Sequence, residues 1–264
     1  MIDIDRMDEQ LAAALTGAGP TPSAAPAPAP ASAPELLELG RLEEADAVMA
    51  AVSLPRDALT WATMQALLDG RRDAARTGVE DLRQLAQRTD DPVAWDGYWI
   101  QRFWFAFEWG TEEERFDLLD HCRERAYRFD EVPWWGNLTL LLAAMGKADE
   151  ATRAFDAAVR LPEAQGLDPL TNLIEAGVLL GDAGRVTTAF HFFRAPEGRL
   201  VVVGPGVVCK GSVDRYRALG LVALGRGDEA GRCFRSAEAA HRSLGARPLL
   251  DRTLRQASGL LVAA

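Results

Sequence analysis

The sequence predicts an all-α chain of about six stacked helix pairs, and three observations carry that expectation. Glycine-centred joins recur at Gly40, Gly70, Gly110, Gly146, Gly181 and Gly225, spaced 30, 40, 36, 35 and 44 residues apart, which is the interval of helix-pair repeats. Around these joins, acids and then apolar residues at helical spacing follow the glycine, as in Asp228, Glu229, Ala230, Phe234 and Ala237 after Gly225. Finally, nothing alternates with period two over a strand-length run except Leu200 to Val203. Gly204-Pro205-Gly206 follows that run at once, so it reads as a loop or short extended segment between the fifth and sixth pairs.

Taken in order, residues 1–16 form a short amphipathic segment. Ile4, Met7, Leu11 and Leu15 recur at spacings of three and four, with Asp3, Asp5, Asp8 and Glu9 near the start, where a helix dipole favours acids. Such a piece is marginal alone and needs a surface to dock on. Residues 17–34, GAGPTPSAAPAPAPASAP, are an Ala/Pro linker expected to extend at about 3.1 Å per residue where it is polyproline II. Residues 35–264 make up the helical-repeat domain.

Within that domain, Leu39-Gly40-Arg41 leads to Ala45, Met49 and Val52, and Gly70-Arg71 to Ala75, Val79 and Leu82. Trp109-Gly110 leads less regularly to Phe116, Leu119 and Cys122. Met145-Gly146-Lys147 precedes Asp149, Glu150, Ala151, Phe155 and Ala158, with Pro162 closing the unit, and Leu180-Gly181 precedes Val186, Phe190 and Phe193. Glycine suits the left-handed position that ends a helix, and acids suit the first turn of the next. Asp91-Pro92 and Asp168-Pro169 each read as an N-cap acid before a proline at the first helical position, and Ser212 as the cap of the helix leading to Leu224. Leu249 to Val262, apolar at helical spacing, caps the array.

The glycine–acid–Ala–Phe–Ala pattern, fullest at Gly146, Ala151, Phe155 and Ala158 and again in the sixth unit, resembles the tetratricopeptide repeat. The last 55 residues resemble more specifically the C-terminal helical repeats of bacterial LuxR-type signal-transduction ATPases. That likeness rests on Gly211-Ser212-Val213-Asp214-Arg215-Tyr216, on Leu224 to Ala230, and on Leu244-Gly245-Ala246-Arg247-Pro248-Leu249-Leu250 with Thr253. The resemblance implies a right-handed superhelix with a concave groove. It supplies no catalytic residue, and the chain has no room for the ATPase or the DNA-binding domain of those regulators.

A formal charge of −10 argues against nucleic acid as a partner, because neutralising phosphates needs a basic face, and fits a basic peptide better. Three scattered cysteines, Cys122, Cys209 and Cys233, make no disulfide framework and suit a reducing compartment. The acidic start lacks the pattern of a signal peptide, and no apolar window of about 18 residues offers a membrane span. These features together place the chain in the cytoplasm, with no membrane partner.

Chemical motifs are scarce. Gly204 to Ser212 approaches a phosphate loop, but Cys209 and Gly211 flank Lys210 where glycine and Ser/Thr are needed, so a flexible inter-repeat loop is expected and no cofactor. Asp117, His121 and Cys122 share a helix without the third or fourth ligand that zinc requires, so no metal is expected and the histidine reads as a surface residue beside a buried cysteine. No nucleophile elbow, His-Glu-x-x-His helix or Cys-x-x-Cys pair is present, and no catalytic residue is assigned.

One feature stands above this background. Six of the seven tryptophans lie between Trp95 and Trp135. Trp95, Trp99, Phe103 and Phe107 form one helical stripe, with Tyr98, Phe105 and Trp109 off it and Trp104 on yet another side. Both a central packed helix and a groove lined with rings explain so many aromatics. The sequence therefore reads as a non-enzymatic adaptor or regulatory scaffold that holds a protein or peptide segment in its concave groove. The candidate binding residues are Trp95, Tyr98, Trp99, Arg102, Trp104, Trp109, Arg123, Trp134 and Trp135. Alternatives are a small-molecule-sensing domain of a bacterial regulatory system and, further off, an enzyme on a helical-repeat scaffold. The N-terminal segment, through Ile4, Met7, Leu11 and Leu15, is a candidate ligand for the chain's own groove.

Overall fold

A computed structural model describes residues 31–129, 131–161 and 166–263, and the side chains of these up to residue 259. The amphipathic segment of residues 1–16, most of the Ala/Pro linker and Pro162 lie outside the described residues. The compact unit Ser32–Ala264 is mostly helical, in keeping with the all-α expectation.

Its helices are α1 (Ala33–Glu38), α2 (Leu42–Ala50), α3 (Pro55–Asp69), α4 (Arg72–Thr89), α5 (Pro92–Trp109) and α6 (Glu112–Arg123). A π-helical turn (Glu124–Arg128) continues α6, followed by α7 (Val132–Ala144), α8 (Ala148–Ala158), α9 (Leu167–Leu179) and α10 (Ala183–Phe192). Two strands, β1 (Leu200–Val203) and β2 (Val208–Ser212), precede α11 (Val213–Ala223), α12 (Gly227–Ser243) and α13 (Arg247–Ala263). The last two residues of the Ala/Pro tract thus already belong to α1. Ser32 precedes that helix, its N–H donating to Glu35 Oε2 at 2.7 Å.

All six expected joins fall between two helices, and five of them share one geometry with Gly245. At Gly40, Gly70, Gly146, Gly181, Gly225 and Gly245 the backbone φ is 73°, 76°, 69°, 66°, 71° and 68°, a region that costs a side chain but not glycine. The residue after each glycine then donates its N–H five positions back, as in Arg71 to the Ala66 carbonyl and Arg226 to the Leu221 carbonyl, both at 2.9 Å. That bond satisfies a carbonyl the helix end would leave open. Gly110 differs: its φ is −67°, and Thr111 caps α6 by accepting the Glu114 N–H at 3.2 Å. The irregular third join is therefore a separate solution. Phe116 after it is exposed rather than core.

The alanines behind each join let helices approach. Ala45, Ala75, Ala151 and Ala230 are fully buried, as are Phe155 and Phe234. Helix α7 is apolar around most of its circumference, which makes it a central rather than a surface helix; it packs on α6, α8 and α9. Of the cap expectations, Asp91 and Ser212 hold, accepting from Val93 N at 2.9 Å and Asp214 N at 3.1 Å. Asp168 does not cap. Gly166 takes that position, and Asp168 sits inside the first turn with its carboxylate accepting from Lys210 at 2.8 Å.

The segment expected as a flexible inter-repeat loop is instead an antiparallel β-hairpin. Leu200 pairs with Ser212, Val201 with Gly211, Val202 with Cys209 and Val203 with Val208, and a bulge falls between Val201 and Val202. Every residue of β2 is buried. The hairpin packs against α1, α3, α5, α9, α11 and α12, and α13 returns to pack on α3. Leu36, Trp61 and Met64 from the start of the domain accordingly share one apolar cluster with Leu200, Cys209, Leu244 and Leu249 from its end. Period-two alternation failed to announce this pairing because both faces of β2 are covered, so there is no polar face to alternate.

Candidate functional site

The aromatic-rich helix α5 places its rings in three different surroundings. Its start is fixed by Asp91, which caps it and is held below the usual carboxylate range first by the Arg56 guanidinium at 2.7 Å. Along the outer side of α5 the rings form a continuous row. Trp95 meets Tyr98 edge-on at 5.8 Å, Tyr98 meets Trp99 at 4.8 Å, and Trp99 stacks on His121 of α6 at 3.6 Å and 11°. His121 in turn abuts Trp134 of α7 edge-on at 4.9 Å. Arg102 closes the row: its guanidinium lies 5.2 Å over the Trp99 ring and donates to the Tyr98 hydroxyl at 3.2 Å.

Burial grades along this row. Tyr98, Trp134 and Trp135 are buried, whereas Trp95, Trp99, Arg102 and His121 are half-buried. Beside them the π turn, which adds a residue to the helix and often marks functional sites, presents Tyr127 and Phe129 at 59% and 54% exposure. Tyr127 touches the Trp135 ring edge-on at 4.6 Å. Burial, aided by Arg125 and Arg102, pulls the His121 imidazole down to about 4, so the ring in the stack is neutral at ordinary pH.

Thus Trp95, Tyr98, Trp99, Arg102 and Trp134 come together, joined by His121, while Trp135 pairs with Tyr127. The remaining three candidates do not join them. Trp104 is buried beneath Lys210, whose Nζ lies 5.2 Å from the ring centre. Trp109 packs on Phe105 at 5.5 Å and borders an open cleft with Arg247, Pro248 and Arg255. Arg123 is spent on tying α6 to α8 through Glu150 at 2.6 Å.

Between the hairpin and helices α9, α11 and α13 lies a buried cluster of charged side chains. The bulge leaves Lys210 without an opposing residue on β1, and such bulges re-aim a side chain. Here the Lys210 ammonium is fully buried and donates to the Asp168 carbonyl at 2.9 Å and carboxylate at 2.8 Å, to the Asn172 Oδ1 at 2.7 Å, and to the Thr171 hydroxyl. Burial pulls this ammonium below its ordinary range, against the opposing charge of Asp168. Next to it, Arg215 makes a two-pronged ion pair with Glu175 at 3.1 and 2.9 Å, and Arg252 pairs with Glu108 and lies 3.5 Å from Glu175. Burial alone would push the Glu175 carboxyl up, but Arg215 and Arg252 outweigh it and hold it at about 2. Gln101 adds a tie, donating to the Thr60 and Val207 carbonyls at 2.7 and 2.9 Å. Each of these charges has an opposite partner, which is the condition for burying them at all, although Arg215 Nε has no hydrogen-bond partner among the described residues.

A second histidine pair has the look of catalytic machinery but the wrong proton arrangement. His241 Nε2 accepts the Ser212 backbone N–H at 2.8 Å, so the proton resides on Nδ1, 3.1 Å from the Thr253 hydroxyl. That hydroxyl donates onward to the Leu249 carbonyl at 2.8 Å, so it accepts from the imidazole rather than being deprotonated by it. Cys122 and Cys209 are buried and their thiols pushed up by burial, that of Cys209 to about 11. Among the described residues no group of three or more His, Cys, Asp or Glu is placed to hold a metal ion. No helix of these residues is long and apolar enough to cross a membrane.

Sequence reasoning missed Tyr127 and Phe129, although their place between two helices, in Ala126-Tyr127-Arg128-Phe129-Asp130, was a usable signal. It also missed Lys210, Arg215 and Glu175 as partners, since Lys210 and Asp168 lie 42 positions apart. Searches against protein-family models, curated proteins and solved structures give no match to this chain.

Proposed function

We propose that this chain is a non-enzymatic adaptor that binds a protein or peptide segment on the outer face formed by α5, α6 and the π turn. The observation that carries this reading is the unbroken row of rings from Trp95 through Tyr98, Trp99 and His121 to Trp134, with Trp95 and Trp99 half-exposed and the rings of Tyr127 and Phe129 exposed after α6. Aromatic residues and arginine are over-represented where partners anchor. Rigid rings also lose little conformational freedom on binding. Around the row, Asp96, Asp117 and Asp120 lie 3.5, 3.9 and 3.3 Å from Arg125, Arg102 and Arg123 yet keep 61%, 67% and 85% of their side-chain surface exposed. Together with the charge of −10 this favours a partner segment bearing lysine or arginine.

In this reading the helix pairs are tetratricopeptide-like repeats. They serve a regulatory system of bacterial type, as the likeness of residues 211–253 to the helical repeats of LuxR-type ATPases suggests, and they work in the cytoplasm.

The test pairs Trp99→Ala with Tyr127→Ser and Phe129→Ser, each checked for unchanged helical circular dichroism. A partner captured by the wild-type chain from its native lysate, then purified, should bind these variants at least tenfold more weakly. Equal affinity for wild type and all three variants overturns the assignment.

A further inference from the structure

An apolar groove of about 500 Å³ lies where α1, α2, α3, α5 and the turn of the hairpin meet, a volume within the range of binding pockets. Its walls are Val48 and Met49 of α2, Val52 just past that helix, Val93 of α5, and Pro205 and Val207 of the hairpin turn. The groove is open, since Val48 is 39% and Val93 52% exposed. Val93 and Gly97 precede Trp95 and Trp99 by two positions each and so lie on nearly the opposite side of α5. This surface is therefore separate from the ring row.

The polar groups around this groove are already spent. Arg56 pairs with Asp57 and with Asp91, both at 2.7 Å. The carbonyls of Thr60 and Val207 accept from Gln101 at 2.7 and 2.9 Å. What remains unmatched is hydrocarbon. Ala45, Val48, Met49 and Val52 recur at the three- and four-residue spacing of one helical face. Helix α2 packs on α1 and α3, an arrangement that buries Ala45 but leaves Val48 open. As the first helix pair among the described residues, α1 and α2 have no preceding pair to cover that stripe, and the end unit of a helix-pair array requires a cap.

The sequence carries a matching element outside the described residues. Ile4, Met7, Leu11 and Leu15 make an apolar stripe, about 16 Å long as a helix, that needs a surface to dock on. Residues 17–31 join it to Ser32, which itself lines the groove. Those 15 residues include five prolines, a composition that predicts a semi-rigid spacer of about 46 Å at about 3.1 Å per residue. Such a spacer, rooted at the rim of the groove, disfavours return to that same groove, because effective concentration collapses when linker and span do not match. The groove of a neighbouring molecule is within its reach. We propose that this groove receives residues 1–16 of a second copy of the chain, with Ile4, Met7, Leu11 and Leu15 packed on Val48, Met49, Val52 and Val93. Reciprocal exchange of the two arms closes a two-fold dimer.

Sedimentation velocity of the full chain between 1 and 100 μM tests the exchange. The full chain should sediment as a dimer at 100 μM, and removal of residues 2–16 should leave a monomer. A monomeric full chain at 100 μM, or a dimer that survives the deletion, overturns the proposal. Two variants then locate the contact. Leu11→Asp with Leu15→Asp alters the arm. Val93→Asp alters the groove at an exposed position in the first turn of α5, where an acid suits the helix, so the fold should survive, as circular dichroism checks. Each should weaken dimerisation at least tenfold, and unchanged association in either overturns the pairing. An equimolar mixture of the arm variant and the groove variant retains one intact arm and one intact groove that match. It should associate at least threefold more tightly than either variant alone, and no gain on mixing likewise overturns reciprocal exchange.

Discussion

Gly211 and His241 are in direct contact: the glycine backbone has φ +87°, and a Cβ built there would lie 2.4 Å from the imidazole Nε2. The same nitrogen accepts the N–H of the next residue, Ser212, at 2.8 Å. One glycine thus lets the end of β2 lie flat on the histidine of α12, and Ser212 then starts α11.

Substituting Gly211→Ala should cost about 3 kcal/mol of unfolding free energy, combining left-handed backbone strain with a steric clash. Gly245→Ala is the matched control. Its φ is +68° but no atom lies within 4 Å of the added carbon, so only the backbone cost of about 1 kcal/mol is expected. Urea titration of both variants measures the difference. Equal losses would show that the histidine contact is not tight.

His241 also sets a pH dependence. Burial, followed by the charges of Arg215 and Arg252, lowers its imidazole to about 3 from an ordinary 6.5. Between those values the unfolded chain binds a proton that the folded chain refuses, so stability rises with pH and is fully present above about 6.5. The slope from this one residue approaches about 1.4 kcal/mol per pH unit between pH 6 and 4.5. His121, lowered to about 4, adds a smaller part in the same direction because it is partly open to solvent. Glu175, held at about 2, acts in the carboxylate range below 4.5. Chemical denaturation at pH 6.5, 5.5 and 4.5 should show a clearly shallower slope in His241→Gln. Parallel slopes would remove His241 as the source.

The buried ion pair of Arg215 and Glu175 should behave asymmetrically. Glu175→Leu strips Arg215 of its anion and leaves Arg252 with Glu108 alone, and removal of one partner of such a pair costs about 3–5 kcal/mol. The double change Glu175→Leu with Arg215→Met removes both charges and should cost less than the sum of the two single changes. A double-mutant cycle by urea unfolding gives the coupling directly, and strict additivity would mean the charges do not sense each other.

Thiol chemistry offers a check on packing. Ellman's reagent should modify one cysteine, Cys233, in the native protein and the other two only as it unfolds, since Cys122 and Cys209 are buried. Burial also raises their thiols, leaving little thiolate to react. Rapid modification of two or three thiols under native conditions would contradict this packing.

The outer ring row is partly legible in the amino-acid order. Helical spacing marks Trp95, Trp99, Phe103 and Phe107 as one stripe, but it does not show that Trp99 stacks on His121 while Phe103 is buried. The difference lies in which neighbour covers each side of α5, and those neighbours are remote in sequence. Trp104 shows the same limit. Nothing local indicates that a lysine more than a hundred positions onward will lie over its ring.

By itself the sequence determined where helices end and begin. Gly40, Gly70, Gly146, Gly181 and Gly225 act through their own backbone angle, and acids such as Asp149 and Glu150 through the dipole of the turn they occupy, so each signal is complete within a few residues. Only the tertiary structure decided that residues 200–212 form a hairpin wrapped by helices, and that a cluster of charged side chains is buried beside it. That outcome depends on Lys210 finding Asp168, Thr171 and Asn172, and on Arg215 finding Glu175, some forty positions away. A buried charge is tolerable only once its distant partners are in place, and no local pattern encodes where they will be.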